Sequence, residues 1–175
     1  MKILGIDASL TSTGLAWEQE GRIVTTRVLP GTRKGTPRLA YVMKILTQAV
    51  VSHNITHIAL EGYSMGSHSG RFFSIGELGG CIKLFALNRN ISILIVSPSS
   101  LKKFVAGNGG ADKDMMIDAV NRRWDQEIHQ NDEADAFGLL KICKAYYDPR
   151  KRGKYSANEI EALQNIEIDC KLTGD

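Results

Sequence analysis

The sequence predicts an α/β fold: a mixed five-stranded sheet, antiparallel in an N-terminal meander and parallel afterwards, flanked by helices. Three observations predict it. Segments that read as strands, at 2–8, 13–19 and 22–29, follow one another with only short polar turns between them. Two more runs, at 55–61 and 91–96, alternate with long segments of helical periodicity. Strand, helix and strand in succession imply parallel neighbours joined by a crossover.

The elements follow in order. Residues 2–8 form a strand that ends in the polar turn Ser9 to Ser12, and Glu20-Gly21 makes the hairpin turn between the next two strands. Residues 32–37 read as a loop rich in glycine, threonine and basic residues. Leu39, Val42, Met43, Leu46 and Val50 then recur at helical spacing. Strand 55–61 stops at a carboxylate, and a glycine- and serine-rich loop spans 62–70. A helix carrying Phe73, Leu78, Ile82 and Phe85 leads to 91–96, a strand apolar but for Ser92 and expected to be buried on both faces. Pro98 and Ser99 open a short helical turn, 107–110 is a second glycine loop, and helices follow at 111–124 and 131–147. Residues 1–148 form one domain. The basic, helix-breaking stretch from Pro149 begins a linker and C-terminal tail, 149–175, with a short helix at 157–166.

Composition narrows function only a little. At 43% hydrophobic and 23% charged residues the chain is an ordinary globular protein, and a net charge of +3 permits nucleic acid without requiring it. Three scattered cysteines, Cys81, Cys143 and Cys170, form no Cys-x-x-Cys pair and suggest neither a disulfide framework nor a zinc site. Asp7 interrupts the N-terminal apolar run too early for a signal peptide, and no run is long enough to span a membrane; a cytoplasmic protein is expected.

Four carboxylates carry the chemical signal. Asp7 and Glu61 end apolar strands, which places them in the crevice where α/β sheets bind ligands. Asp132 and Asp135, three apart, share one face at the start of a helix that is apolar nearly all round. Taken singly, each also fits a bland role. A strand-end Asp caps a turn, and Asn131 or Asp132 suits a helix N-cap, where acids are favourable. Together they would be several anions set against an apolar framework. They repel one another and lose hydration unless a hard divalent cation with oxygen ligands offsets them.

These same residues carry a resemblance. Gly5-Ile-Asp-Ala-Ser-Leu-Thr-Ser-Thr-Gly14 resembles the opening strand and turn of the RuvC family of Holliday-junction resolvases, and Ile58-Ala-Leu-Glu61 its second acidic strand. Ala106-Gly-Asn-Gly-Gly-Ala-Asp-Lys113 is similar to the loop and helix start before its last acidic motif, and Asp132-Glu-Ala-Asp-Ala136 to that motif. Each motif alone is weak; the ordered set is strong. The resemblance implies a ribonuclease-H-like fold, a homodimer, and Asp7, Glu61, Asp132 and Asp135 as catalytic ligands of Mg2+ or Mn2+, two ions per site. It implies paired symmetric nicks in a four-way junction, or in branched DNA more widely. Ser64 stands where cellular members carry a base-opening aromatic, so Tyr63 and, second, Phe72 are the substitutes. The Ile75-Gly-Glu-Leu-Gly-Gly80 helix resembles phage-encoded members more than bacterial ones.

The resemblance also gives Lys113 the role of placing a positive charge on the scissile phosphate; read alone, it is a solvated surface lysine. Lys102, Lys103, Lys113, Arg122 and Arg123 flank the acids and offer salt-sensitive backbone contacts to DNA, with Arg33, Lys34 and Arg38 as another patch. Three rival readings stand beside this one. An actin- or sugar-kinase-like ATPase shares the Gly-Ile-Asp turn but normally needs two domains. A non-catalytic scaffold has no need for four acids. A nuclease of the same mechanism acting on flaps, forks or RNA–DNA hybrids fits the residues equally well.

Overall fold

A computed structural model describes residues 1–63 and 71–170, without the side chains of 71, 72, 151, 152 and 170. The meander is β1 (Ile3–Asp7), β2 (Thr13–Gln19) and β3 (Arg22–Val28), turned at Glu20-Gly21, both of which take positive φ. Then come α1 (Gly35–Ser52), β4 (His57–Glu61), α2 (Arg71–Asn88), β5 (Ser92–Val96), α3 (Pro98–Ala106), α4 (Lys113–Trp124) and α5 (Asn131–Tyr147). A 3-10 turn (Pro149–Lys154), α6 (Ala157–Gln164) and β6 (Glu167–Cys170) close the described chain.

The strands lie in the order β3-β2-β1-β4-β5-β6. β1, β4 and β5 run parallel; the other pairings are antiparallel. The sheet therefore has six strands rather than five. The segment expected to be a linker and tail supplies the sixth, and its helix buries Ala162 and Leu163 in the main core. One further boundary moves: α1 begins at Gly35, inside the expected loop, because Pro37 in a first helical turn gives up only an N–H that has no partner there.

The period-2 alternation of the strands sorts side chains onto two faces. Leu4 and Ile6 of β1, with Ile58 and Leu60 of β4, pack under α1 and α2. Ile3 and Ala59 point the other way, into the core built with α3, α4, α5 and α6. Asp7 continues the series of Ile3 and Gly5, and Glu61 that of His57 and Ala59, so both acids emerge on the α5 side. Ile6 pairs with Leu60, which puts the next residues, Asp7 and Glu61, side by side. Each fully buried Leu or Ile in these layers stabilises the fold by roughly 1.5–3 kcal/mol.

Candidate active site

The β1 and β4 strand ends deliver two carboxylates, and the first two turns of α5 deliver Asp132 and Asp135 against them. α5 buries Ala134, Ala136, Phe137, Leu139, Leu140, Ile142 and Cys143 against β1 and β2, which fixes its start over the end of β1. Its N-cap is Gln130, whose side chain makes no capping bond. Neither Asn131 nor Asp132 is the cap, so that bland explanation of the acids fails.

Asp7 is only 8% exposed. Burial raises its pKa well above the usual carboxylate range, and the neighbouring charge of Glu61, then that of Asp132, push it further; Lys113 pulls it down. Glu61 is raised to about 7, by burial first and by the charge of Asp135, against a hydrogen bond from Asp7 and the charge of Lys102. Asp135 is also raised to about 7, by burial and then by Asp7. Asn131 Nδ2 donates to Asp135 Oδ2 at 2.8 Å and stabilises its anion. Asp132 is half-buried, and its charge acts on both Asp7 and Asp135. Glu133 turns away, accepting a long hydrogen bond from Thr25 on β3 at 3.4 Å.

Of these acids, Glu61 and Asp135 line a cleft of about 410 Å³, together with Asn131, Tyr63, Lys102 and Lys113 among others. Lys113 opens α4, whose N-cap Asp112 accepts from Met115 N at 2.9 Å. Lys103 is not brought to the cleft: it pairs with Glu161 of α6 at 2.6 Å. Arg123 is likewise held by Glu159 and by the carbonyls of Phe104 and Val105. Tyr63 lies over Gly79 of α2 and donates from its hydroxyl to Gly76 O at 3.3 Å. The side chain of Phe72 and the loop residues 64–70 lie outside the described residues.

Three contributors escaped the sequence reading. Asn131 was legible, since it stands four before Asp135 on the same helical face. Asp112 was legible as the cap before an apolar-periodic run. Gly79 gave no signal, because only the fold brings Tyr63 onto it.

The donor set is hard oxygen, the preference of Mg2+ and Mn2+, and buried acids with raised pKa values are what a divalent cation relieves. The residues present fit such an ion. Among the described residues, however, no three of His, Cys, Asp or Glu are gathered closely enough to hold one as they stand.

Residues 3–144 match the family described as Crossover junction endodeoxyribonuclease RuvC. A relative of that name from Mycolicibacterium vanbaalenii is 30% identical, over 98% of this chain and 93% of its own. One from Mycobacterium leprae is 26% identical over all of this chain and 97% of its own. Both sources are bacterial. The structure of Thermus thermophilus RuvC in complex with Holliday junction substrate superposes with a TM-score of 0.69 at 18% identity, over 80% of this chain and 90% of that one. The Fowlpox virus Holliday junction resolvase gives 0.54 at 15% identity, over 83% and 99%. These likenesses show the ribonuclease-H-like fold. Among the described residues no helix is long and apolar enough to cross a membrane.

Proposed function

The chain belongs to the RuvC family of crossover junction endodeoxyribonucleases, and from that premise we propose that it resolves four-way DNA junctions by paired symmetric hydrolysis of phosphodiesters. One observation carries the reading to these residues: buried acids from β1, β4 and α5 meet at one sheet edge, beside a cleft rimmed by Lys102 and Lys113.

Asp7, Glu61, Asp132 and Asp135 would hold the metal, Mg2+ or Mn2+ and two ions per site. Bound there, such ions supply an activated water and stabilise the leaving oxygen. The protein's own residues do the rest. Asp7, which feels the charges of both Glu61 and Asp132, would serve as the central ligand of the set. Asn131 orients Asp135. Lys113 and Lys102 bring positive charge to a phosphate entering the cleft, where low polarity strengthens the attraction. Tyr63, 40% exposed at the cleft wall, offers a ring on which a base at the branch point stacks. Phe72 remains a second aromatic candidate, and Lys103 contributes to DNA binding only after leaving Glu161. A homodimer presents two such sites to two strands of like polarity, in the cytoplasm with the DNA.

The test is cleavage of a synthetic four-way junction alongside flap, fork and linear duplex, with Mg2+, Mn2+ or a chelator. Symmetric nicks in the junction, abolished by chelator, are expected. Asp7→Asn should lower the rate by more than about 100-fold, the upper cost of losing a mere outer-shell partner, while junction binding persists. Undiminished cutting in that variant or in chelator overturns the site. Preference for flaps or forks overturns the substrate, and ATP turnover points to the kinase-like alternative.

A further inference from the structure

Next to the catalytic cleft, and sharing Ile75 with it, lies a second cavity of about 580 Å³. Three elements supply its polar lining: Ser9 and Thr11 from the β1–β2 turn, Lys34 and Arg38 from the start of α1, and Ser74 from α2. No acid lines it among the described residues. Neither Lys34 nor Arg38 has an ion pair among the described residues. Arg38 Nε is buried without a hydrogen-bond partner there. Arg33 is committed elsewhere: its guanidinium donates to Pro30 O at 2.9 Å and lies 4.3 Å from the centroid of the Tyr41 ring.

Two cations facing one cavity with no counter-charge repel each other, and a buried guanidinium N–H without an acceptor costs free energy. The start of α1 adds to the positive potential. Its N-cap Lys34 provides no side-chain capping bond, its first turn has no acid, and Gly35 lines the cavity. Ser9 and Thr11, whose hydroxyls are 3.4 Å apart, line the cavity from the turn that Thr13 Oγ1 ties to Ser9 O at 2.8 Å. A single anion with several acceptor oxygens answers all of these groups, and the planar fork of Arg38 suits phosphate.

We infer that this cavity seats a backbone phosphodiester of the DNA, next to the one held at the carboxylates, with Lys34 and Arg38 as its cationic grips. The inference rests on the nuclease reading. It selects the DNA backbone over free phosphate because only Ala8 separates Asp7 from Ser9, and because Ile75 forms a common wall of both cavities.

The experiment measures junction affinity against salt for the wild type, Lys34→Gln, Arg38→Gln and Arg38→Lys, with phosphate-ethylation interference mapped on the same junction. Each neutralising variant should lower the slope of log affinity against log salt by about one, while Arg38→Lys keeps it. Interference at a small set of phosphates flanking the cut site should vanish in Lys34→Gln. Lys34 is exposed, so this variant decides the matter even if Arg38→Gln fails to fold. Unchanged slopes and an unchanged interference map in folded variants overturn the inference and leave the nuclease standing. So does inorganic phosphate that protects the wild type but not the variants while junction contacts stay the same, since the cavity then serves free phosphate. A wild type that binds no branched DNA overturns the nuclease reading itself, and this inference with it.

Discussion

At Glu61 and Asp135 the acid that suits a metal destabilises the bare protein. Both are raised to about 7, with burial the leading cause. Between roughly pH 4 and pH 7 the folded chain keeps protons that the unfolded chain has released, so stability falls as pH rises through that window. The loss is on the order of 3 kcal/mol for each acid, and for a domain of this size the two together should lower Tm by roughly 10–20 °C between pH 5 and pH 8. Millimolar Mg2+ should restore much of it at pH 8 and little at pH 5, because it binds only the ionised acids. Scanning calorimetry in chelator and in Mg2+ at both values checks this; a Tm that rises with pH in chelator contradicts it. The acids themselves were legible in the sequence, because a carboxylate ending an apolar strand is conspicuous. Their proton affinities were not, since these depend on how far α5 closes over the strand ends.

α5 closes that distance through two glycines on the facing strands. A Cβ at Gly5 would stand 2.1 Å from Ala136 O, and one at Gly14 would stand 1.9 Å from Asp132 O. The obstacles are helix backbone, which cannot swing aside as a side chain does. Gly14→Ala should therefore push the first two turns of α5 away from the sheet, carrying Asp132 and Asp135 with them. The expected stability cost is about 1–3 kcal/mol. The larger effect should be on Mn2+ affinity, weaker by at least about 10-fold. Gly138→Ala is the contrast, since its Cβ would meet only the side chains of Val105 and Leu101, at 2.6 and 2.9 Å. It should cost stability without a comparable loss of metal. Titration of both variants by Mn2+ electron spin resonance separates the cases, and equal metal affinity in Gly14→Ala and the wild type removes this role for the glycine. The helix was readable from its all-round apolar pattern. The glycines stood in the motif without their reason, because nothing local says which backbone will approach.

Across the whole molecule, the C-terminal segment shows where the sequence reading fell short. Ile166, Ile168 and Cys170 alternate with Glu167 and Asp169, a period-2 signal masked by its brevity and by the basic, helix-breaking stretch before it. In the fold this segment covers the edge of β5, whose residues Ser92–Val96 are almost wholly buried. Lys83 pairs with Asp169 at 3.0 Å, and the acids leave β6 a short charged edge of the kind that resists further pairing. α6 is anchored by its capping box at Ser156 and Glu159, by Arg123 holding Glu159, and by Leu163 in the core. Ending the chain at Ser156 would remove all of these. The loss of Leu163 burial alone costs roughly 1.5–3 kcal/mol, and Arg123 and Lys103 are left without their acids. The exposed Ser-Ile-Leu-Ile-Val edge is an apolar, uncharged β strand, the pattern that templates intermolecular sheets. The shortened chain should melt at least about 5 °C lower and form thioflavin-positive aggregates at concentrations where the full chain stays monodisperse by light scattering. Restoring 157–170 with Ile168→Lys separates the two contributions. The helix returns and most of the Tm with it, while the β5 edge stays weakly covered and aggregation persists. A truncated chain that keeps both its melting temperature and its monodispersity would show that β1 to α5 fold without this cover.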